Sequence, residues 1–319
     1  MDECADEDAG TAPNTWTLAE ASRRIAAGTL TSEALVRSCL ERIAKREETV
    51  GAWVCLDAEA ALATARARDR ETPRGPLHGI PFGVKDVMDT ADMPTEHGSP
   101  IYAGVCPAQD AAAVALARGA GAVLLGKTVT TEFAAVRVPP KTRNPANPGH
   151  TPGASSSGSA AAVADAMVPF AFATQTTGSL IRPGAYCGVV GVKPSRCLVN
   201  RAGMKQLSDF MDTVGIYART VEDAALVLEA VADLPLPDFG AMTASPPGTA
   251  PKIAPRIALC RTTAWNRAKP ETVALFDGLA DSLTWAGAVV RDLDLPPDFE
   301  GIDDAQEAIY CFELWHALA

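Results

Sequence analysis

Residues 153–195 read GASSSGSAAAVADAMVPFAFATQTTGSLIRPGAYCGVVGVKPS. Ser155, Ser156, Ser157 and Ser159 crowd together, an apolar run follows, and a second Gly-Ser pair stands at Gly178-Ser179. Serine and glycine together usually make a flexible linker. A linker does not run straight into AAAVADAMVPFAFA, which has the composition of buried chain. Gly153 and Gly158 have the spacing of a phosphate-binding loop and Ser159 follows, but the lysine such a loop needs before its hydroxyl residue is missing. The remaining ordinary reading is a serine-capped helix start, with a helix over 159–166 and a strand over 167–174. Such a start leaves backbone N–H groups free for an anion or a developing negative charge.

The flanking chain alternates helices and strands. Thr17 and Glu20 have capping-box spacing and predict a helix to about Ala27, ended by Gly28. A second helix is expected over 32–46, with Leu35, Val36, Cys39, Leu40 and Ile43 on one face. A third is expected over 58–70. GIPFGVKDVMDT (79–90) reads as a buried strand entering a loop. Asp110 is expected to cap a helix over 111–119, which joins a strand over 122–128 through Gly119 and Gly121. TRNPANPGHTPG (142–153) is a long loop. CGVVGVKPS is a short strand, and Thr220 caps a helix over 221–232. A Pro/Gly-rich loop fills 234–255. A strand–helix–strand unit then follows, with strands over 256–262 and 288–295 and a helix near 270–286. No repeat of fixed period is visible. The pattern predicts α/β layers around a central sheet.

At 319 residues the chain can bury a large core. Its net charge of −11 argues against nucleic acid or an anionic membrane as the main partner. The eight cysteines make no C-x-x-C pair, so zinc knuckles and dithiol redox chemistry lose support, and no metal or other cofactor is expected. MDECADEDAG is acidic and lacks a secretory signal's basic start and apolar core, and no apolar run is long enough to span a bilayer. A cytoplasmic location with reduced thiols is the expectation.

A serine nucleophile needs a proton acceptor. The four histidines, His78, His97, His150 and His316, lie outside any G-x-S-x-G elbow. Lysine can serve instead if burial keeps it neutral. Lys85 stands out in IPFGVKDV, where an unpaired lysine is out of place. Taken alone, it is equally well read as the partner of Asp86 or Asp89 in a structural salt bridge.

GIPFGVKD, GASSSGSAAAVA and TQTTGSLIRPGAYCGVVGVKPS together resemble the amidase signature family, as do TLTSEALVRSCLERI near the start and SDFMDTVGIYARTVEDAALVL after the third motif. The resemblance implies a mixed, mostly parallel central sheet covered by helices on both faces. It implies hydrolysis of a small-molecule amide C–N bond through a Ser–cis-Ser–Lys triad and an acyl-enzyme. In that scheme Ser179 is the nucleophile, Ser155 the bridging serine and Lys85 the base. The backbone amides of Thr176, Thr177, Gly178 and Ser179 would form the oxyanion hole. Nothing in the scheme calls for membrane or direct nucleic-acid contact, and a homodimer stays open. The implied organisation is an acidic disordered arm (1–15) and a single domain (16–319), with a core over 70–232 and a partial C-terminal portion over 256–319.

The chain also departs from the family pattern. Ala154 stands where glycine usually precedes the bridging serine. Thr177 occupies a turn position usually held by glycine or alanine, where a β-branched residue is unfavourable if φ must be positive. Gln175 stands where many members carry aspartate. Family members are also longer, and this chain stops at YCFELWHALA, inside an amphipathic helix. A natural truncation, a fragment and a gene-model artefact are all compatible with that ending, and a missing part of the sheet would expose apolar surface and an unpaired edge. Two alternatives therefore stand beside a free amidase: a glutaminase-type A subunit of a tRNA-dependent amidotransferase, and a truncated, catalytically silent relative.

Overall fold

The computed structural model describes residues 12–135, 138, 141–233 and 254–318. Two compact units are distinguished, one running to residue 243 with residues 317–319 added, the other formed by residues 244–316.

The first unit is built on a six-stranded sheet of order β1-β3-β2-β4-β6-β5. Its strands are β1 (Trp53–Leu56), β2 (Pro81–Lys85), β3 (Val123–Thr128), β4 (Phe170–Gln175), β5 (Val190–Val192) and β6 (Thr213–Ala218). β3, β2 and β4 pair in parallel. β1 is antiparallel to β3, and β6 is antiparallel to both β4 and β5. β2, β3, β4 and β5 therefore run one way, and β1 and β6 the other. Every residue of β2, β3, β4 and β6 is buried. Alternate side chains of a strand face opposite sides, so burial of both sets means both faces are covered. The helices of this unit supply that cover: α1 (Leu18–Ala26), α2 (Ser32–Val50), α3 (Ala58–Arg68), α4 (Ala112–Gly119), α5 (Ser157–Ala164), α6 (Ile181–Cys187) and α7 (Val221–Val231).

Local chemistry explains most of these elements. Thr17, Thr31, Asp57 and Thr220 each accept an amide hydrogen bond at a helix start, which satisfies donors the helix cannot. In the sheet centre Phe82 stacks on Phe170 at 5.2 Å, and Phe172 meets both edge-on at 5.8 Å. α5 is buried nearly all round. A Cβ on its Gly158 would collide with the Ala52 carbonyl and the Val129 amide. The small residues of SGSAAAVA are thus what lets this helix lie directly against the sheet.

Several expectations need correction. Asp110 caps nothing: its carboxylate accepts from the Ala91 amide at 2.8 Å and pairs with Arg118 at 3.2 Å, while α4 starts after Ala111 without a side-chain cap. No serine side chain caps α5, which starts at Ser157 rather than Ser159. Residues 1–11 of the expected arm lie outside the described residues. From Pro13 to Thr15 the chain forms a 3-10 turn with Asn14 buried, its side chain donating to the Ala166 carbonyl at 3.0 Å. That part of the arm is packed because its polar side chain has found partners inside. β1, α6 and β6 lie outside the elements expected from local pattern. α6 carries Pro183 and Gly184, poor interior helix residues, and the Gln175 side chain compensates by accepting from the Leu180 and Ile181 amides at 2.9 and 3.0 Å.

The loop expected over 234–255 falls mostly on residues 234–253, outside those described. The second unit contains a parallel pair, β7 (Arg256–Cys260) and β8 (Val289–Leu293), connected through α8 (Pro270–Trp285). This is the strand–helix–strand unit expected from the sequence. α9 (Ile302–Leu318) follows. Among the described residues no helix is long and apolar enough to cross a membrane. The described cysteines are free thiols.

Candidate active site

Lys85 is the last residue of β2 and is wholly buried. Its Nζ donates to Ser155 Oγ and to Thr174 Oγ1, both at 2.8 Å. Among the described residues it has no ion-pair partner. Burial pushes its pKa from 10.5 down to about 7, and the Asp212 carboxylate opposes that shift. The expected alternative, a salt bridge to Asp86 or Asp89, does not form. Asp86 instead pairs with Lys127 of β3 at 3.2 Å, with both side chains fully buried. A neutral Lys85 can donate to Thr174 and turn its lone pair toward the Ser155 hydroxyl.

Each serine of the first cluster has separate work. Ser157 Oγ donates to the Val129 carbonyl at 3.4 Å. Ser159 Oγ donates to the Phe172 carbonyl at 2.9 Å and lies 2.6 Å from Thr128 Oγ1. Ser156 Oγ donates to the Thr174 carbonyl at 3.1 Å. Those three hold α5 to the sheet, and Ser155 is the one aimed at Lys85. The Ala154–Ser155 peptide bond is cis. The Arg182 guanidinium donates to the Ala154 carbonyl at 3.0 and 3.3 Å. Ala154 accommodates its Cβ there. The glycine requirement sits one residue earlier: Gly153 has φ +81, and a Cβ on it would stand 3.0 Å from the Pro183 Cα.

Ser179 ends the turn after β4. Its carbonyl accepts from the Ser156 amide at 3.3 Å, which ties the two serine segments together. Tyr217 Oη donates to the next carbonyl, Leu180, at 2.6 Å. Ser155 and Ser179 line one cleft, with Thr174, Thr176, Lys205 and Asp212. Among the described residues no hydrogen bond joins the two serine hydroxyls, and the amides of Thr177, Gly178 and Ser179 have no acceptor. Thr177 is exposed and its φ is not positive, so its β-branch meets no backbone conflict.

His78, His97 and His150 are not among the residues that line the cleft. His78 Nε2 bonds the Arg68 carbonyl at 3.0 Å. His97 packs edge-on against Tyr102, and burial together with Lys205 and Lys127 lowers its pKa to about 4. His150 is exposed. Among the described residues no group of three or more His, Cys, Asp or Glu side chains could hold a metal ion.

Sequence reasoning missed Thr174, Asp212 and the Lys127–Asp86 pair. Thr174 had a signal, a hydroxyl near the end of an otherwise apolar strand. Asp212 directly precedes the apolar strand TVGIYA, a position that reads as an ordinary loop carboxylate until the fold brings it to the cleft.

Comparison with known proteins agrees with this architecture. The Amidase family model matches residues 34–319. The A subunit of the glutamyl-tRNA(Gln) amidotransferase of Roseiflexus sp. (strain RS-1) is 38% identical over 299 residues, 88% of this chain and 60% of that protein. An amidase of Pseudomonas putida is 36% identical over 289 residues, 88% of this chain and 62% of its own length. The native peptide amidase of Stenotrophomonas maltophilia superposes with a TM-score of 0.83 at 37% identity, covering 95% of this chain and 67% of that one. The chain thus spans about 60% of the length of the curated relatives it matches. By sequence and by fold, this chain belongs to the amidase family.

Proposed function

We propose that this chain hydrolyses a small-molecule amide through a serine acyl-enzyme, with Ser179 as nucleophile, Ser155 as the bridging hydroxyl and Lys85 as the base. The observation that carries this reading is the 2.8 Å contact between a buried, unpaired Lys85 and Ser155, on a cleft that also holds Ser179. Neutral Lys85 accepts the Ser155 proton while Ser155 accepts that of Ser179. The Ser179 oxygen then bonds to the amide carbon. The carbonyl oxygen becomes an oxyanion, received by amides of the Thr176–Ser179 turn. Three of these, at Thr177, Gly178 and Ser179, have no acceptor within the described chain, which suits that role. One such donor typically contributes about 3–4 kcal/mol to transition-state stability. As the C–N bond breaks, the proton returns by the same path to the leaving amine. Water then cleaves the ester. The Ser155–Ser179 hydrogen bond is expected to close when substrate fills the cleft, as catalytic contacts often tighten only in the complex.

A fluorophosphonate probe tests this directly. Labelling of the intact chain that disappears in Ser179→Ala is the expected result. Folded, monodisperse protein that takes up no label would instead identify a silent relative.

A second reading is favoured by the 38% identity to a protein named as an amidotransferase A subunit. Under it, the same triad releases ammonia from glutamine within a larger assembly. Ammonia release from glutamine that appears only when partner proteins are added would select this reading over a free amidase.

A further inference from the structure

Asp212 lies in the loop before β6, is 3% exposed, and lines the cleft beside Ser155 and Ser179. Its carboxylate accepts from a side-chain hydroxyl and from two backbone amides. Oδ1 accepts from Thr176 Oγ1 at 2.5 Å. Oδ2 accepts from the Leu207 amide at 2.7 Å and the Ser208 amide at 3.0 Å. One side chain thus joins two walls of the cleft: the turn carrying the candidate oxyanion donors and the segment carrying Leu207. A charge-assisted hydrogen bond of this kind is stronger than a neutral one.

The surroundings of Lys85 give Asp212 a second connection. The charged group that acts on that lysine is Asp212, on the cleft wall; Lys205 lines the same cleft, and Asp86, next to Lys85 in the chain, is paired with Lys127. That pair is internally neutralised. Its neighbours on β4 and before α5, Thr174 and Ser155, are uncharged.

We propose that Asp212 is a positioning residue of this site, clamping the Thr176–Ser179 turn through the Thr176 hydroxyl and acting by its charge on Lys85, whose hydrogen-bond partners Ser155 and Thr174 line the same cleft as Asp212. This rests on the triad reading above for its catalytic consequence, though not for its effect on Lys85. Asp212 acts through Thr176 and Lys85 and need not touch substrate. The sign of its charge effect is consistent: a carboxylate favours the ammonium form of Lys85 and opposes the desolvation that favours the amine.

Two substitutions separate the clamp from the charge. Asp212→Asn is nearly isosteric. Its oxygen can serve the Leu207 and Ser208 amides while its NH2 donates to a reoriented Thr176 hydroxyl, so the charge is lost and the network kept. Thr176→Val removes the clamp and keeps the charge. The Lys85 titration is followed by the 13Cε chemical shift, which needs no turnover, and catalysis by the rate of fluorophosphonate labelling. In Asp212→Asn the Lys85 midpoint is expected to fall by about one pH unit, and the acid limb of labelling to move down with it. In Thr176→Val labelling is expected to slow roughly ten-fold with the midpoint unmoved.

A Lys85 midpoint equal to the parent's in folded Asp212→Asn overturns the proposal, as does parental labelling in Thr176→Val. If Asp212→Asn does not fold, Thr176→Val decides alone. If the parent takes no label, the triad reading fails, and the Lys85 midpoint still decides the role of Asp212.

Discussion

Lys127 Nζ lies 3.2 Å from the Asp86 carboxylate, and neither side chain reaches solvent. The aspartate adjacent to Lys85 in sequence is therefore committed to a different lysine. Asp86 also accepts from the Glu96 and Gly98 amides at 3.2 to 3.4 Å. Two buried lysines on neighbouring strands thus have opposite fates: Lys127 is neutralised by a partner and Lys85 is left with hydroxyls. Burial lowers the pKa of both, and for Lys127 the Asp86 charge and hydrogen bond act against it.

Breaking this pair from one side should be costly. Lys127→Met leaves an uncompensated buried carboxylate and is expected to destabilise the fold by about 3 kcal/mol or more. Adding Asp86→Asn should recover much of that loss, since the charge is gone while an oxygen remains for the Glu96 and Gly98 amides. Urea unfolding of the two single variants and the double variant measures the coupling. Additive losses would mean that the two charges do not interact.

Labelling of Ser179 should depend on a neutral Lys85. With a pKa of about 7, the labelling rate should rise with pH through that value and fall away in acid. Lys85→Ala should lower the rate by more than about ten-fold at pH 8. A profile that stays flat well into acid would exclude a lysine base.

The same lysine makes a prediction about stability. Its folded pKa, about 7, lies below the usual 10.5. Between those values the unfolded chain holds a proton that the folded chain lacks, so stability rises with pH across that window. Below it, both states are charged and the burial cost is present in full, roughly 5 kcal/mol. Lys85→Met should therefore gain most over the parent below pH 7, with its advantage shrinking toward pH 10. Unfolding midpoints measured at several pH values in that range check the trend. An advantage that grows with pH would contradict it.

Gly153→Ala tests the backbone rather than the chemistry. The φ of +81 and the approach of Pro183 at 3.0 Å leave no relaxed place for a Cβ. A loss of about 1–3 kcal/mol in stability is expected. Labelling should fall too, because Ser155 would shift with the strained chain. Ala154→Gly, at a position already occupied by a Cβ, should leave stability within about 1 kcal/mol of the parent.

The serine-rich stretch by itself pointed to a helix laid close on a buried strand, and the helix caps at Thr17 and Thr220 were legible from local spacing. So were α2, β2, β3 and the β7–α8–β8 unit, whose apolar patterns are strong. Lys85 could be singled out because a lysine inside an apolar strand is rare enough to demand a reason. These features are local: each depends on a few neighbouring residues and on periodicity. The short strand β1 and the helix α6 were not legible, since one has only four residues and the other contains Pro183 and Gly184. They exist because the sheet and the Gln175 side chain hold them. Whether Lys85 would pair with Asp86 was undecidable from sequence, because the deciding group, Lys127, comes 42 residues after Lys85 in the chain. Asp212 is likewise an ordinary loop residue until β4 and β6 lie side by side, and Thr174, whose hydroxyl stands out near the end of an apolar strand, meets Lys85 only once β2 and β4 pair. Long-range pairing set which charges meet and which hydroxyl faces the lysine, and no local pattern carries that information.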